Sequence, residues 1–244
     1  MKIQPLSNKI IWPVVAFGIT MAMFESAVVI YLRELYYPAG FSFPLKLTSN
    51  TVAATEFLRE FASLIMIGAV AWLAGRGFTQ RFAWFLIIFA IWDIFYYIFL
   101  KALLGWPESW LTWDILFLIP VHWTGPVVAP IFVSLIMITL GVVLLRYTQL
   151  RNAPAIISKK EWWLLGTGAF VVFAAFILDY SMYLIKNFHS QPGAQFIDTM
   201  TTLSMKYIPD YFPWTVFIAG IVLLISSILL FVRRNRKDIK QKEV

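Results

Sequence analysis

Six stretches of the chain stay apolar with hardly a charge inside them: Ile10–Leu32, Glu56–Leu73, Phe82–Leu100, Val127–Leu145, Trp162–Ile185 and Phe212–Val232. A helix needs roughly 20 such residues to cross the ~30 Å hydrocarbon core of a bilayer, and all six approach or pass that length. Aromatic and basic residues mark their ends, as in Trp12, Tyr36 with Tyr37, Trp72 with Arg76, Arg146 with Tyr147, Trp162 with Trp163, and Trp214, the expected interfacial belt. The pattern predicts an all-α integral membrane protein with six transmembrane helices in a single transmembrane domain, residues 1–244.

Between the third and fourth spans, Trp110–Ile119 is apolar except for Thr112 and Asp114. As a helix it would cover only about 15 Å, too short to cross. With Pro120, Gly125, Pro126 and Pro130 breaking or kinking the next stretch of chain, we expect residues 110–119 to form a short re-entrant or interfacial helix on the outer side. On the same side, Pro38, Gly40 and Pro44 predict a structured loop over Tyr36–Thr55, with a helix start near Ser49–Thr51. Lys186–Tyr211, containing Gln191-Pro192-Gly193, is the third outer connection. The echo of Trp92-Asp93-Ile94-Phe95 in Trp113-Asp114-Ile115-Leu116 is too short to mark a duplication.

Composition supports lipid as the main solvent: of 244 residues 60% are hydrophobic, 18% aromatic and only 14% charged. There is no cysteine, which excludes disulfides, thiolate metal sites, thiol nucleophiles and palmitoylation. The histidines are His122 and His189; bis-histidine haem would need both, and His189 sits in a polar connection, so haem is disfavoured.

The net charge of +7 points to the membrane and not to nucleic acid, because the basic residues flank apolar spans or lie in the tail. With the N-terminus inside, 14 of the 20 Lys and Arg fall on the inner side. This predicts a plasma (inner) membrane protein with both termini cytoplasmic. The first span lacks a cleavage pattern and reads as a retained helix. The basic tail, residues 233–244, places Arg233, Arg234, Arg236 and Lys237 where they can meet anionic lipid headgroups, at about 1 kcal/mol per basic residue. Membrane lipids are therefore the expected partners, with other membrane subunits as a further option.

The same orientation puts ten of the 13 acids in the outer half or outside. A carboxyl inside a span costs several kcal/mol and is retained where it faces a bundle interior or a wet cavity. Glu25, Asp93 and Asp179 each lie about two-thirds along an outward-running helix, and Glu56, Arg59 and Glu60 start the second helix at that level. Gly18 and Ala22 share a helical face with Glu25, and Gly168, Val172 and Ala175 share one with Asp179. Glu56 and Arg59 can form a structural ion pair. Asp114 and His122 can join from the short outer element.

These residues are consistent with a cation-binding pocket. Glu25, Glu56, Glu60, Asp93 and Asp179 are candidate metal ligands for a divalent ion by donor hardness, with His122 and Asp114 as candidate acid–base groups. No Glu-x-x-His or His-Glu-x-x-His pattern supports a specific metal centre. The alternative use of the acids is structural, pairing through Arg33, Arg59, Lys101 and tyrosine hydroxyls. Nucleophile elbows and Gly-rich phosphate loops are missing from the sequence. Rhomboids, ceramidase-like hydrolases, membrane desaturases and phosphatase-type lipid enzymes use histidines in numbers or spacings that this chain lacks. The reading is an outward-facing carboxylate/His pocket that binds a cation, metal or proton, and acts on a membrane-embedded substrate; the alternatives are a non-catalytic subunit of a membrane complex and a proton-coupled transporter.

Overall fold

The computed structural model describes residues 3–46, 49–119, 121–188, 199 and 202–240. His189, Pro120 and the sequence Gln191-Pro192-Gly193 lie outside the described residues. Among those described, six helices are long and apolar enough to span a bilayer, and the chain is a multi-pass membrane protein. They are α1 (Asn8–Tyr36), α2 (Asn50–Ala74), α3 (Gly77–Leu104), α4 (Val128–Arg151), α5 (Lys159–Phe188) and α6 (Trp214–Lys240). Most overrun their apolar cores, because flanking polar residues continue the backbone hydrogen bonding into the interface. Caps set some of the ends. The Ser49 hydroxyl accepts the Val52 amide at the start of α2, and Gly105, at a positive φ of 68°, turns the chain out of α3.

The helix α3 is the hub, packed on α1, α2 and α4, while α5 and α6 form a second pair that meets the first group through α4 and α6. Small residues permit the close crossings. A Cβ on Gly168 would sit 3.0 Å from the Gly220 carbonyl oxygen, so α5 and α6 touch backbone to backbone. One on Gly141 would sit 2.8 Å from the Ala83 carbonyl oxygen at the α3–α4 crossing. Without a hydrophobic drive between helices in lipid, such contacts supply the dispersion that holds the bundle together.

The segment expected as a re-entrant helix over 110–119 is instead a strand. Residues Trp113–Phe117 (β1) pair antiparallel with Trp123–Pro126 (β2), with Asp114 opposite Gly125 and an irregularity between Ile115 and Phe117. A ten-residue apolar run fits either conformation by periodicity, and here the neighbours decide. β1 is aromatic and β-branched, and Gly125, next to Pro126, is biased toward extended backbone. The preceding turn also serves α4, since the Thr112 and Trp110 carbonyls accept the Val127 and Val128 amides at 3.0 and 2.9 Å. The hairpin wedges between the two helix groups. Trp123 packs on Phe173 and Phe176 of α5, and Trp113 packs on Phe212.

The end of the bundle that carries the chain termini is tied by polar contacts. Gln80 accepts the Gln4 and Arg76 amides at 3.0 Å each and donates to the Gln4 carbonyl at 2.7 Å, while Gln149 donates to the same carbonyl at 2.8 Å. Ser158 and Glu161 form a capping box at the start of α5: the Ser158 amide donates to Glu161 Oε2 at 2.7 Å and the Glu161 amide to the Ser158 hydroxyl at 3.4 Å. Arg234 of α6 grips both oxygens of Glu161 at 2.9 and 2.8 Å and also donates to the Ile156 carbonyl. Arg234, expected at the headgroups, is thus used to lock α6 onto α5. Arg233, Arg236 and Lys237 are exposed beside it.

Candidate functional site

A cavity of about 490 Å³ opens at the opposite end, enclosed by α1, α2, α3, the loop after α1 and the hairpin. Six of the seven acid or histidine residues singled out from the sequence line it: Glu25, Glu56, Glu60, Asp93, Asp114 and His122. The seventh, Asp179 on α5, belongs elsewhere. It accepts the Tyr207 hydroxyl at 2.6 Å and the Asp210 amide at 3.4 Å, and Tyr207 also meets the Thr124 hydroxyl at 3.0 Å. Asp179 therefore tethers the chain after α5 to β2 and is not part of the pocket as expected. Its helix lies across the hairpin from the other acids, a separation that depth along the helix does not reveal.

The helical spacing of α2 places Glu56, Arg59 and Glu60 on one turn facing α1. Arg59 donates to Glu56 at 2.8 and 3.0 Å and to Glu25 across the helix boundary. Glu60, one turn on from Glu56, accepts the Leu118 amide at 2.9 Å and so pins the end of β1 to α2. Asp93, on α3, accepts the Ser134 hydroxyl of α4 at 2.8 Å. Among the described residues, no Lys or Arg forms an ion pair with Glu60 or Asp93.

The second basic group, Arg33, comes from the last turn of α1. Its Nη2 contacts Asp114 Oδ1 at 3.2 Å, and its guanidinium lies 3.8 Å from the centroid of Trp106 and 4.5 Å from that of Phe41. Two aromatic faces thus fix the plane of the cation, and Lys101 fixes the turn bearing Trp106 by donating to the Gly105 and Pro107 carbonyls at 2.9 and 2.8 Å. Burial lifts the Asp114 carboxyl from its ordinary value to about 6, with the Arg33 charge opposing that rise. Burial likewise lowers His122 to about 4, leaving a neutral imidazole whose ring stands 4.8 Å from that of Tyr180.

Four buried side-chain atoms make no well-aligned hydrogen bond among the described residues, Arg33 Nη1, Trp92 Nε1, Asp114 Oδ2 and His122 Nδ1, with the Tyr97 hydroxyl facing the Asp114 carboxyl. All four side chains line this one cavity. Buried polar groups are paired in the great majority of cases, so their concentration here marks a place where the fold leaves hydrogen-bonding capacity unused. Two of them, Trp92 Nε1 and Arg33 Nη1, carry no signal in the sequence that separates them from interfacial aromatic and basic anchors.

The expected metal-ligand set is not assembled. Among the described residues no three His, Asp or Glu side chains gather as a metal site. The carboxylates are interleaved with Arg59, Arg33, the Ser134 hydroxyl and the Leu118 amide, which occupy oxygens that a divalent ion would need. The remaining wall is apolar, including Val29, Leu32, Val52, Phe57 and Phe89. A pocket of this size with apolar walls and a few convergent polar groups has the form of a small-molecule site. No protein-family model, curated protein or solved structure matches the chain, so its own geometry is the basis for a functional reading.

Proposed function

We propose that this chain sits in the plasma membrane with its termini in the cytoplasm and uses the cavity at its outer end to bind the cationic head of a membrane-embedded amphiphile. The carrying observation is the pair of acids Glu60 and Asp93, which line an apolar-walled cavity and lack an ion-pair partner among the described residues. Five acidic side chains face three basic ones, Arg33, Lys46 and Arg59, around the cavity, so acids outnumber bases on its wall. An organic ammonium fits this wall better than a bare divalent ion. It needs no octahedral shell of oxygens, and Trp92, Tyr96 and Tyr97 offer aromatic faces to a cation. The orientation rests on the excess of Lys and Arg at the end bearing the termini.

The test is titration of the purified protein in maltoside with dodecylammonium and with dodecyl sulfate, followed by calorimetry. Saturable one-to-one binding of the ammonium is expected, weakened ten-fold or more by Glu60→Gln and by Asp93→Asn. Equal binding of the sulfate, or affinity unchanged in both variants, overturns the proposal.

A further inference from the structure

Resting on that reading, the unpaired atoms narrow the headgroup. Arg33 Nη1 and Trp92 Nε1 are buried donors without an acceptor among the described residues, whereas the Asp114 carboxyl already faces Arg33 and the Tyr97 hydroxyl. Arg33 and Trp92 are 8% and 6% exposed, so bulk water does not readily meet these needs. Arg33 spends Nη2 on Asp114 and keeps Nη1 as a second donor beside the ion pair. A ligand that satisfies the two donors carries an anionic or strongly accepting group, and the acids Glu60 and Asp93 on the same wall favour a hydrogen-bonding cation next to it.

We infer that the cavity recognises a phosphoethanolamine headgroup of a membrane lipid, with its phosphate toward Arg33 and Trp92 and its primary ammonium toward Asp93 and Glu60. The primary ammonium offers three N–H donors, whereas a choline head has the same charge and no N–H to give to the Glu60 and Asp93 carboxyls. A phosphoglycerol head supplies the phosphate but adds an anion to a wall already rich in carboxylates. The fixed plane of the Arg33 guanidinium, held between Trp106 and Phe41, suits a phosphate presented in one orientation. The apolar residues Val29, Leu32, Val52 and Phe57 at the cavity wall provide for the acyl chains and favour a lipid over the free head.

The test is native mass spectrometry and calorimetry of the whole protein in maltoside with short-chain phosphatidylethanolamine, phosphatidylcholine and phosphatidylglycerol, and with water-soluble phosphoethanolamine. The ethanolamine lipid is expected to bind at least ten-fold more tightly than the other two lipids. Arg33→Lys, which keeps the charge but loses the planar fork, is expected to weaken it several-fold; ethanolamine-lipid affinity unchanged in this variant overturns the assignment of the phosphate to Arg33. Equal affinity for ethanolamine and choline lipids, with dodecylammonium still bound, overturns this inference and leaves the proposed cationic site standing. No binding of any amphiphile overturns both. Soluble phosphoethanolamine binding as tightly as the lipid overturns the lipid as the source of the headgroup.

Discussion

The two ends of this helical bundle treat buried polar groups in opposite ways. At the end bearing the termini, Gln80 is 2% exposed and has both its amide oxygen and nitrogen bonded, and Glu161 is 2% exposed with both oxygens held by Arg234. At the cavity end, Arg33, Trp92 and His122 each keep an atom unpaired, and Glu60 and Asp93 have no ion-pair partner among the described residues. Hydrogen bonds completed within the fold stabilise it; hydrogen-bonding groups left open are useful when something else completes them. The contrast assigns stability to one end and recognition to the other, and substitutions at the two ends should separate these properties.

The largest effect is expected at Glu161. Glu161→Ala removes the partner of Arg234 and half of the capping box, and it leaves the guanidinium at a helix–helix contact without its acid. Removing one member of a buried pair costs about 3 to 5 kcal/mol, and the partial exposure of Arg234 places this case near the lower limit. A large fall in the melting temperature in detergent is expected, with amphiphile affinity of the folded fraction unchanged. Loss of affinity in parallel would show that the two ends are not separable. Gln80→Leu is next in size. It strands the Gln4 and Arg76 amides, at a cost of about 2 kcal/mol, and should again spare binding.

The membrane architecture was legible because a bilayer demands continuous apolar length, and all six spans from Ile10–Leu32 to Phe212–Val232 meet that demand whatever their packing. The grouping of Glu25, Glu56, Glu60 and Asp93 was legible for a related reason, since depth follows from position along a span. Lateral position does not. Asp179 has the same depth as Asp93 but stands on the far side of the hairpin, bonded to Tyr207. The hairpin was itself unreadable in Trp110–Ile119, because a short apolar run has no period that distinguishes strand from helix. The three-residue spacing of Ser158 and Glu161 matches a capping box, but the link from Glu161 to Arg234 joins elements 73 residues apart and needs the fold.

The cavity end should also respond to pH. With His122 near 4 in the folded chain and 6.5 as its ordinary value, the unfolded chain holds a proton between those values that the folded chain does not. Stability is therefore lost as the pH falls from about 6.5 toward 4. Asp114 acts with the opposite sign. Its carboxyl is raised from 3.8 to about 6, the folded chain holds the extra proton, and stability declines as the pH rises through that window. Comparing the wild type with His122→Gln isolates the histidine. The variant should gain on the wild type by about 2 kcal/mol between pH 7 and pH 5, read as a narrowing difference in melting temperature. A difference that stays constant over that range would mean that the imidazole is not held neutral.

The smallest expected effect on stability falls on the residues expected to matter most for binding. Glu60→Gln keeps an oxygen to accept the Leu118 amide and removes an acid that has no ion-pair partner among the described residues. Trp92→Phe deletes an unpaired donor while keeping an aromatic ring against Phe89. Neither change breaks an identified hydrogen bond, and relieving a buried unsatisfied group offsets the loss of packing, so each should move stability by less than about 1 kcal/mol. Binding should respond in the other direction from the termini end: dodecylammonium affinity should fall ten-fold or more in Glu60→Gln, and ethanolamine-lipid affinity several-fold in Trp92→Phe. If Glu60→Gln instead destabilises the protein as strongly as Glu161→Ala, its carboxylate is a structural tie like that of Glu161, and the division between the two ends does not hold.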